Sequence, residues 1–170
     1  MALIGKSAEY ALHCLVYLVD KPDDVAVGVA DLSQFQGISE TYLAKIFAKL
    51  NHAGIVQASR GLKGGYELAM NPEDISFWDV TSALDKNFQV FQCHNVRKSC
   101  ILLPKNGKPK NYDMCTIHRA MLDSENALIE SLKKKNLKWL HKELRAKVPK
   151  AEYQKGHEWF LQKSRERLQS

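Results

Sequence analysis

Apolar residues recur at helical spacing from Lys6 to Val19, at Ala8, Leu12, Leu15, Val16 and Val19, and predict an opening helix. Pro22-Asp23-Asp24 ends it in a loop. Val29 to Phe35 reads as a short second helix. Gly37 then supplies a turn, and Ser39 stands at an N-cap position just before Glu40. Tyr42, Leu43, Ile46, Phe47 and Leu50 trace one face of a third helix, which stops near His52-Ala53-Gly54. Two helices joined by a short glycine-containing turn form a helix-turn-helix pattern.

The period then shortens. Ile55-Val56-Gln57-Ala58-Ser59 and Tyr66-Glu67-Leu68-Ala69 flank the tight Arg60-Gly61-Leu62-Lys63-Gly64-Gly65, which predicts a β-hairpin, or wing. Asn71-Pro72-Glu73-Asp74 opens a fourth helix carrying Ile75, Val80, Ala83 and Leu84. Residues 87–115 show no periodicity and contain Pro104, Gly107 and Pro109; so long an irregular stretch is normally functional or disordered. Beyond Cys115 a long helical run passes through Ile117, Met121, Leu128, Ile129, Leu132, Leu137 and Leu140, an apolar stripe that calls for a partner helix. Residues 141–170 read as a charged helical extension with Val148, Tyr153, Trp159, Phe160 and Leu161 scattered through it. The expected fold is mainly α with a small β-hairpin: a winged helix-turn-helix domain (1–86), a cysteine-containing loop (87–115), a long dimerisation helix (116–140) and a C-terminal extension (141–170).

Composition narrows the class. The chain has 170 residues, 45% hydrophobic and 26% charged, enough to bury a real core. Its longest apolar stretch, Ala11 to Val19, is too short to span a membrane and lacks the marks of a secretory signal, so a cytoplasmic location without membrane contact is expected. The net charge of +6 is unevenly spread, −4 over residues 1–86 and +10 over residues 87–170. Bulk charge therefore does not mark the helix-turn-helix half as a nucleic-acid binder; local placement must do so. No phosphate-binding glycine loop or nucleophile motif points to an enzyme. Cys14 lies in an apolar helical run as a small core residue, whereas Cys93, Cys100 and Cys115 cluster in the irregular segment, a pattern that favours metal or redox chemistry.

Three stretches together carry a resemblance. They are Lys6-Ser7-Ala8-Glu9-Tyr10-Ala11-Leu12; Gly37-Ile38-Ser39-Glu40-Thr41-Tyr42-Leu43-Ala44-Lys45-Ile46 with Leu50 and Ala53-Gly54-Ile55-Val56; and Ser59-Arg60-Gly61-Leu62-Lys63-Gly64-Gly65-Tyr66-Glu67-Leu68-Ala69 with Pro72-Glu73-Asp74-Ile75. Over roughly residues 1–135 the chain resembles the Rrf-two family of bacterial winged helix-turn-helix transcriptional regulators, several of which bind iron–sulfur clusters. The resemblance implies a homodimeric repressor on a palindromic operator in double-stranded DNA, with the wing beside each recognition helix. It also implies a cluster on the loop cysteines that senses redox state, nitric oxide or iron–sulfur status, although some members of the family lack one.

The DNA-facing residues can be read physically. Ser39, Glu40, Thr41 and Tyr42 stand at the N-terminal end of the third helix, which approaches base edges and phosphates in helix-turn-helix docking. Lys45 and Lys49, at i and i+4, share a face. Arg60 and Lys63 on the glycine-rich wing can reach the adjacent backbone or a minor groove. Glu40 either accepts from a cytosine amino group or serves the helix N-terminus. Ile46 and Phe47 are expected in the core; Tyr42 is open to either role.

The cysteine gaps, six and fourteen residues, lack the two-residue spacing of a zinc ribbon and are wider than the family's cluster loops. A 2Fe–2S cluster needs four protein ligands, and histidine can replace thiolate. Glu9 and His13 share a face of the first helix, and in this family that helix approaches the other subunit's cysteine loop, so either or both could complete the site. If both ligate, Cys93 and Cys115 are the favoured thiolate pair. Alternatives are a Glu9–His13 surface pair, His94 or His118 as ligands, zinc as the metal, or a cofactor-free or thiol-based regulator. A cluster-carrying electron-transfer domain is the reading from another class.

Overall fold

The computed structural model describes residues 3–21, 25–58, 65–94 and 115–169. Helix α1 (Lys6–Leu15) runs into a 3-10 turn at Val16–Leu18 and is followed by α2 (Val29–Gln36) and α3 (Glu40–His52). The antiparallel strands β1 (Val56–Ala58) and β2 (Tyr66–Leu68) form the wing, in the register Val56↔Leu68, Gln57↔Glu67 and Ala58↔Tyr66. Four helices remain: α4 (Phe77–Leu84), α5 (Thr116–Lys133), α6 (Leu137–Lys147) and α7 (Lys150–Gln169). The fold is the expected one, mainly helical with a two-stranded hairpin.

The apolar periods explain the core. Leu15, Leu32, Leu43, Phe47, Leu50, Val56, Ile75 and Val80 are all fully buried, one contiguous cluster drawn from α1 to α4 and the wing. Gly37, at φ 64°, ends α2 in the left-handed conformation and turns the chain into α3. Helix α4 begins with a reciprocal cap: Asp79 N donates to Ser76 Oγ at 3.1 Å, and Ser76 N donates to the Asp79 carboxylate at 2.8 Å. A third backbone segment braces the wing, where Tyr66 N donates to the Val27 carbonyl at 2.9 Å.

Two findings depart from the expected outline. The helical run expected from Cys115 to Leu140 breaks at 134–136, and α6 begins afresh at Leu137 under an Asn136 cap that accepts from Trp139 N at 2.8 Å. The break is stitched to the start of α4: Phe77 N donates to the Lys135 carbonyl at 2.8 Å and Leu137 N to the Ile75 carbonyl at 3.0 Å. Leu137 thereby enters the core, fully buried, which a continuous helix would not permit. The extension, in turn, is not a free arm. Helix α7 lies against α2, with Phe160 buried 5.0 Å from the Phe35 ring centroid and Arg167 paired to Asp31 at 2.6 Å.

Candidate nucleic-acid interface and cysteine site

Burying Leu43, Ile46, Phe47 and Leu50 leaves the opposite side of α3 outside. Ser39, Glu40, Thr41, Tyr42 and Lys45 are all exposed there. Ser39 occupies the N-cap position without a side-chain cap bond, and Glu40 lies in the first turn, where the helix dipole favours an anion. Tyr42 resolves to the outside at 41% exposure, its ring braced edge-on by Tyr10 of α1 at 6.0 Å. That brace was not legible in the chain, because nothing local links positions 10 and 42. Ala44 and Ala48 are also exposed on this side and let the helix surface come close to a ligand.

The two lysines part company. Lys45 is exposed, whereas Lys49 Nζ donates to the Leu84 carbonyl at 2.9 Å, tying the C-terminal end of α4 to α3. Arg60 and Lys63, at the wing tip, lie outside the described residues. Across the wing's base Gln57 Nε2 donates to the Glu67 carboxylate at 3.0 Å, fixing the register from which the tip extends.

The cysteine segment returns to the start of α5. Val90 N donates to the Glu125 carboxylate at 2.7 Å, and the Phe91 and His118 rings meet at 6.0 Å. Cys93 and Cys115, flanking these contacts, are both half-buried; Cys100 lies outside the described residues. Glu9 and His13 are exposed on α1. Among the described residues no three His, Cys, Asp or Glu side chains gather closely enough to hold a metal ion. Cys14 is fully buried, and burial pushes its thiol up to about 12, as suits an inert core residue.

A helix-turn-helix with a braced wing and a groove-width helix exposing short and polar side chains defines a winged-helix DNA-binding protein. The chain belongs to the Rrf2 family: the family model, described as an iron-dependent transcriptional regulator, matches residues 4–143. It is therefore a DNA-binding transcriptional regulator by family, not an enzyme. It is 38% identical over 94 residues to the transcriptional regulator IscR of Aliivibrio salmonicida, a match covering 55% of each chain. It is 30% identical over 132 residues to IscR of Pectobacterium atrosepticum, covering 78% of this chain and 74% of that one. The chain thus spans about half the length of the Aliivibrio relative. Among solved structures it superposes on T. potens IscR with TM-score 0.63 at 22% identity, covering 86% of this chain and 92% of that one. CymR, the global cysteine regulator of B. subtilis, gives TM-score 0.63 at 22% identity, covering 84% and 98%. Among the described residues no helix is long and apolar enough to cross a membrane.

Proposed function

We propose that the protein is a homodimeric repressor that grips a palindromic operator through α3 and the wing, with a grip governed by a 2Fe–2S cluster. The observation that carries the dimer is α5. Its eighteen residues include none that is buried, and Ile117 stands 65% and Met121 40% exposed on a stripe continued by Leu128 and Leu132. An amphipathic helix in water covers such a stripe with another helix, and an isologous pair presents its recognition helices with two-fold symmetry. A palindrome matches that symmetry.

On the DNA, Ser39, Glu40, Thr41 and Tyr42 face base edges and phosphates, Lys45 takes a phosphate, and Arg60 and Lys63 carry the wing tip to the flanking groove. Lys49, exposed although one of its three N–H groups is given to the Leu84 carbonyl, can offer another to phosphate. A cytoplasmic location follows from that partner.

The donor chemistry of the cysteine site suits a cluster: thiols at Cys93, Cys100 and Cys115, with an exposed carboxylate and imidazole at Glu9 and His13. The family resemblance supports a site completed by the first helix of the second subunit. If Glu9 and His13 both ligate, Cys93 and Cys115 are the thiolate pair. When bound, the cluster supplies a centre responsive to redox state, nitric oxide or iron–sulfur status. The family's iron-dependent description and the IscR relatives support this reading. Zinc on the same thiols is the second choice of metal. The likeness to Staphylococcus aureus CymR, a solved form of which is described as oxidized, favours a thiol-based switch as the second reading.

An ultraviolet–visible spectrum of protein purified without oxygen, with iron and sulfide assays, tests the cluster. Visible charge-transfer bands with matching iron and sulfide are expected, and His13→Ala should alter them. A sample that stays colourless after reconstitution removes the cluster and leaves DNA binding, read by the steep salt dependence of operator affinity, as a separate question.

A further inference from the structure

Helix α7 lies wholly beyond residue 143, where the family match ends, yet its far end is bonded to the helix-turn-helix half of the chain. The pairing of the wing says where. Tyr66 of β2 pairs with Ala58 of β1 on one side and with Val27 on the other, antiparallel to both. Residues 25–27 therefore run along the outer edge of β2 in the same direction as β1, toward the end of the hairpin that leads to Arg60 and Lys63. Gly28 and the first turn of α2 stand at that same end.

Alternate residues of a strand bond to opposite neighbours, so Ala26 turns its N–H and carbonyl away from β2. Helix α7 takes both groups. Ser164 Oγ accepts from Ala26 N at 3.1 Å, and the Arg167 guanidinium donates to the Ala26 carbonyl. The same guanidinium pairs at 2.6 Å with Asp31, whose carboxylate also accepts from Gly28 N at 2.9 Å. Asp31 and Ser164 are both buried. A Cβ on Gly28 would overlap the guanidinium, so the glycine opens its approach. One arginine thus holds the outer strand of the wing and the first turn of α2 together. The residue type suits the task, because a planar fork reaches a carboxylate and a carbonyl at once where the ammonium of lysine is a single point charge.

We propose that Arg167 is a positioning residue for the wing, locking the start of α2 to the strand on which β2 hangs and so fixing the wing against the helix-turn-helix. For its effect on DNA this role rests on the regulator reading above. There α3 and the wing meet one duplex together, and a pair of surfaces already held in place binds more tightly than a pair that binding must first order. Arg167 acts through that geometry and not as a phosphate contact.

The test compares the full wild-type chain with Arg167→Gln and with Arg167→Gln/Asp31→Asn. The double variant leaves no buried carboxylate without its cation, should the single variant fail to fold. Amide hydrogen exchange is measured first, without DNA. Exchange at Tyr66 N, which the Val27 carbonyl accepts, should quicken about tenfold more than exchange at Phe47 and Leu50 of α3. No change at Tyr66, or an equal change at all three, overturns the proposal, the second because it reports a loss of global stability. Binding is then titrated at several salt concentrations with a duplex that the wild type selects from a random-sequence pool. Affinity should fall about tenfold in the double variant, with the slope against log salt unchanged. Wild-type affinity overturns the positioning role, and so does a slope shallower by about one, the mark of a lost phosphate contact. A wild type that selects no duplex sinks the regulator reading alone, and the exchange result still decides whether Arg167 fixes the wing.

Discussion

Gly65 enters β2 at φ 139°, and a Cβ built there would stand 2.9 Å from the Val27 carbonyl oxygen, which already accepts from Tyr66 N. Neither the left-handed backbone nor a main-chain neighbour can yield cheaply. Gly65→Ala should therefore cost about 1–3 kcal/mol, lowering the thermal midpoint and loosening the wing proposed to grip the operator. Gly156 is the opposite case. It lies inside α7, where a Cβ would meet the Phe35 ring at 3.6 Å and the Tyr17 ring at 4.0 Å, ordinary packing distances. Alanine there removes the entropic penalty of a helical glycine without a clash, so Gly156→Ala should gain about 0.5–1 kcal/mol in denaturant unfolding. A loss at Gly156 would mean that α7 is not seated on Phe35. Both glycines were visible in the chain, and only the neighbours supplied by distant segments separate their effects.

Helix α7 shows why some elements are legible and others are not. The helix-turn-helix could be read because its buried positions are apolar and periodic, Leu43, Ile46, Phe47 and Leu50 on one face. The face that α7 buries is Gly156, Phe160 and Ser164, with Tyr153 half-buried beside them. Hydrophobicity sees a single aromatic in that set, although small and aromatic residues at near-heptad spacing were the available signal. Ser164 Oγ accepts from Ala26 N at 3.1 Å, and Arg167 bonds the Ala26 carbonyl, so polar contacts complete the seat. The break before α6 was hidden for a related reason: Lys133-Lys134-Lys135 looks like any solvated helix face, and only the Asn136 cap marks it. Among the site residues, the outward set on α3 followed from its core face, whereas the Lys49 bond to Leu84 depends on tertiary packing that no local pattern encodes. Phe160→Ala should cost about 3–5 kcal/mol, the usual loss for a buried phenylalanine, if α7 unfolds with the domain. A smaller, separate transition would show that the two unfold apart.

The contact between α6 and α7 carries a pH dependence. His141 is buried between Asp20, Arg145, Tyr153 and His157, and burial lowers its pKa, only partly offset by Asp20. The unfolded chain therefore binds that proton at higher pH than the folded one. The contribution to stability is full above the ordinary histidine value near 6.5 and is lost as the pH falls toward the lowered folded value. The unfolding midpoint should drop between pH 7 and pH 5, and the slope should shrink in His141→Gln, which titrates nothing. An equal slope in wild type and variant would place the dependence elsewhere.

At the scale of the whole molecule, the proposed dimer would draw its DNA affinity from symmetry and not from bulk charge. The half that carries α3 and the wing has a net charge of −4, so one protomer offers a few cations, among them Lys45 and those of the wing, and a helix N-terminus to an acidic duplex. Two such surfaces, held at a fixed spacing, gain affinity because the second contact is intramolecular. The proposed fixture is α5, whose Ile117 and Met121 are uncovered in one chain, and whose N-terminal end lies beside the segment bearing Cys93. On the proposed reading, dimer, operator grip and cysteine site share one helix. Replacing Ile117 and Met121 together with Glu places two charges on the stripe without touching the core, since neither residue is buried. Sedimentation should show a folded monomer with unchanged helix content, and operator affinity should fall at least about a hundredfold. If the cluster draws Glu9 or His13 from the second subunit, the monomer should also lose its visible absorption. A monomer that keeps a full cluster would place all its ligands in one chain. A variant that remains dimeric would move the interface off α5 and leave that exposed stripe to another partner.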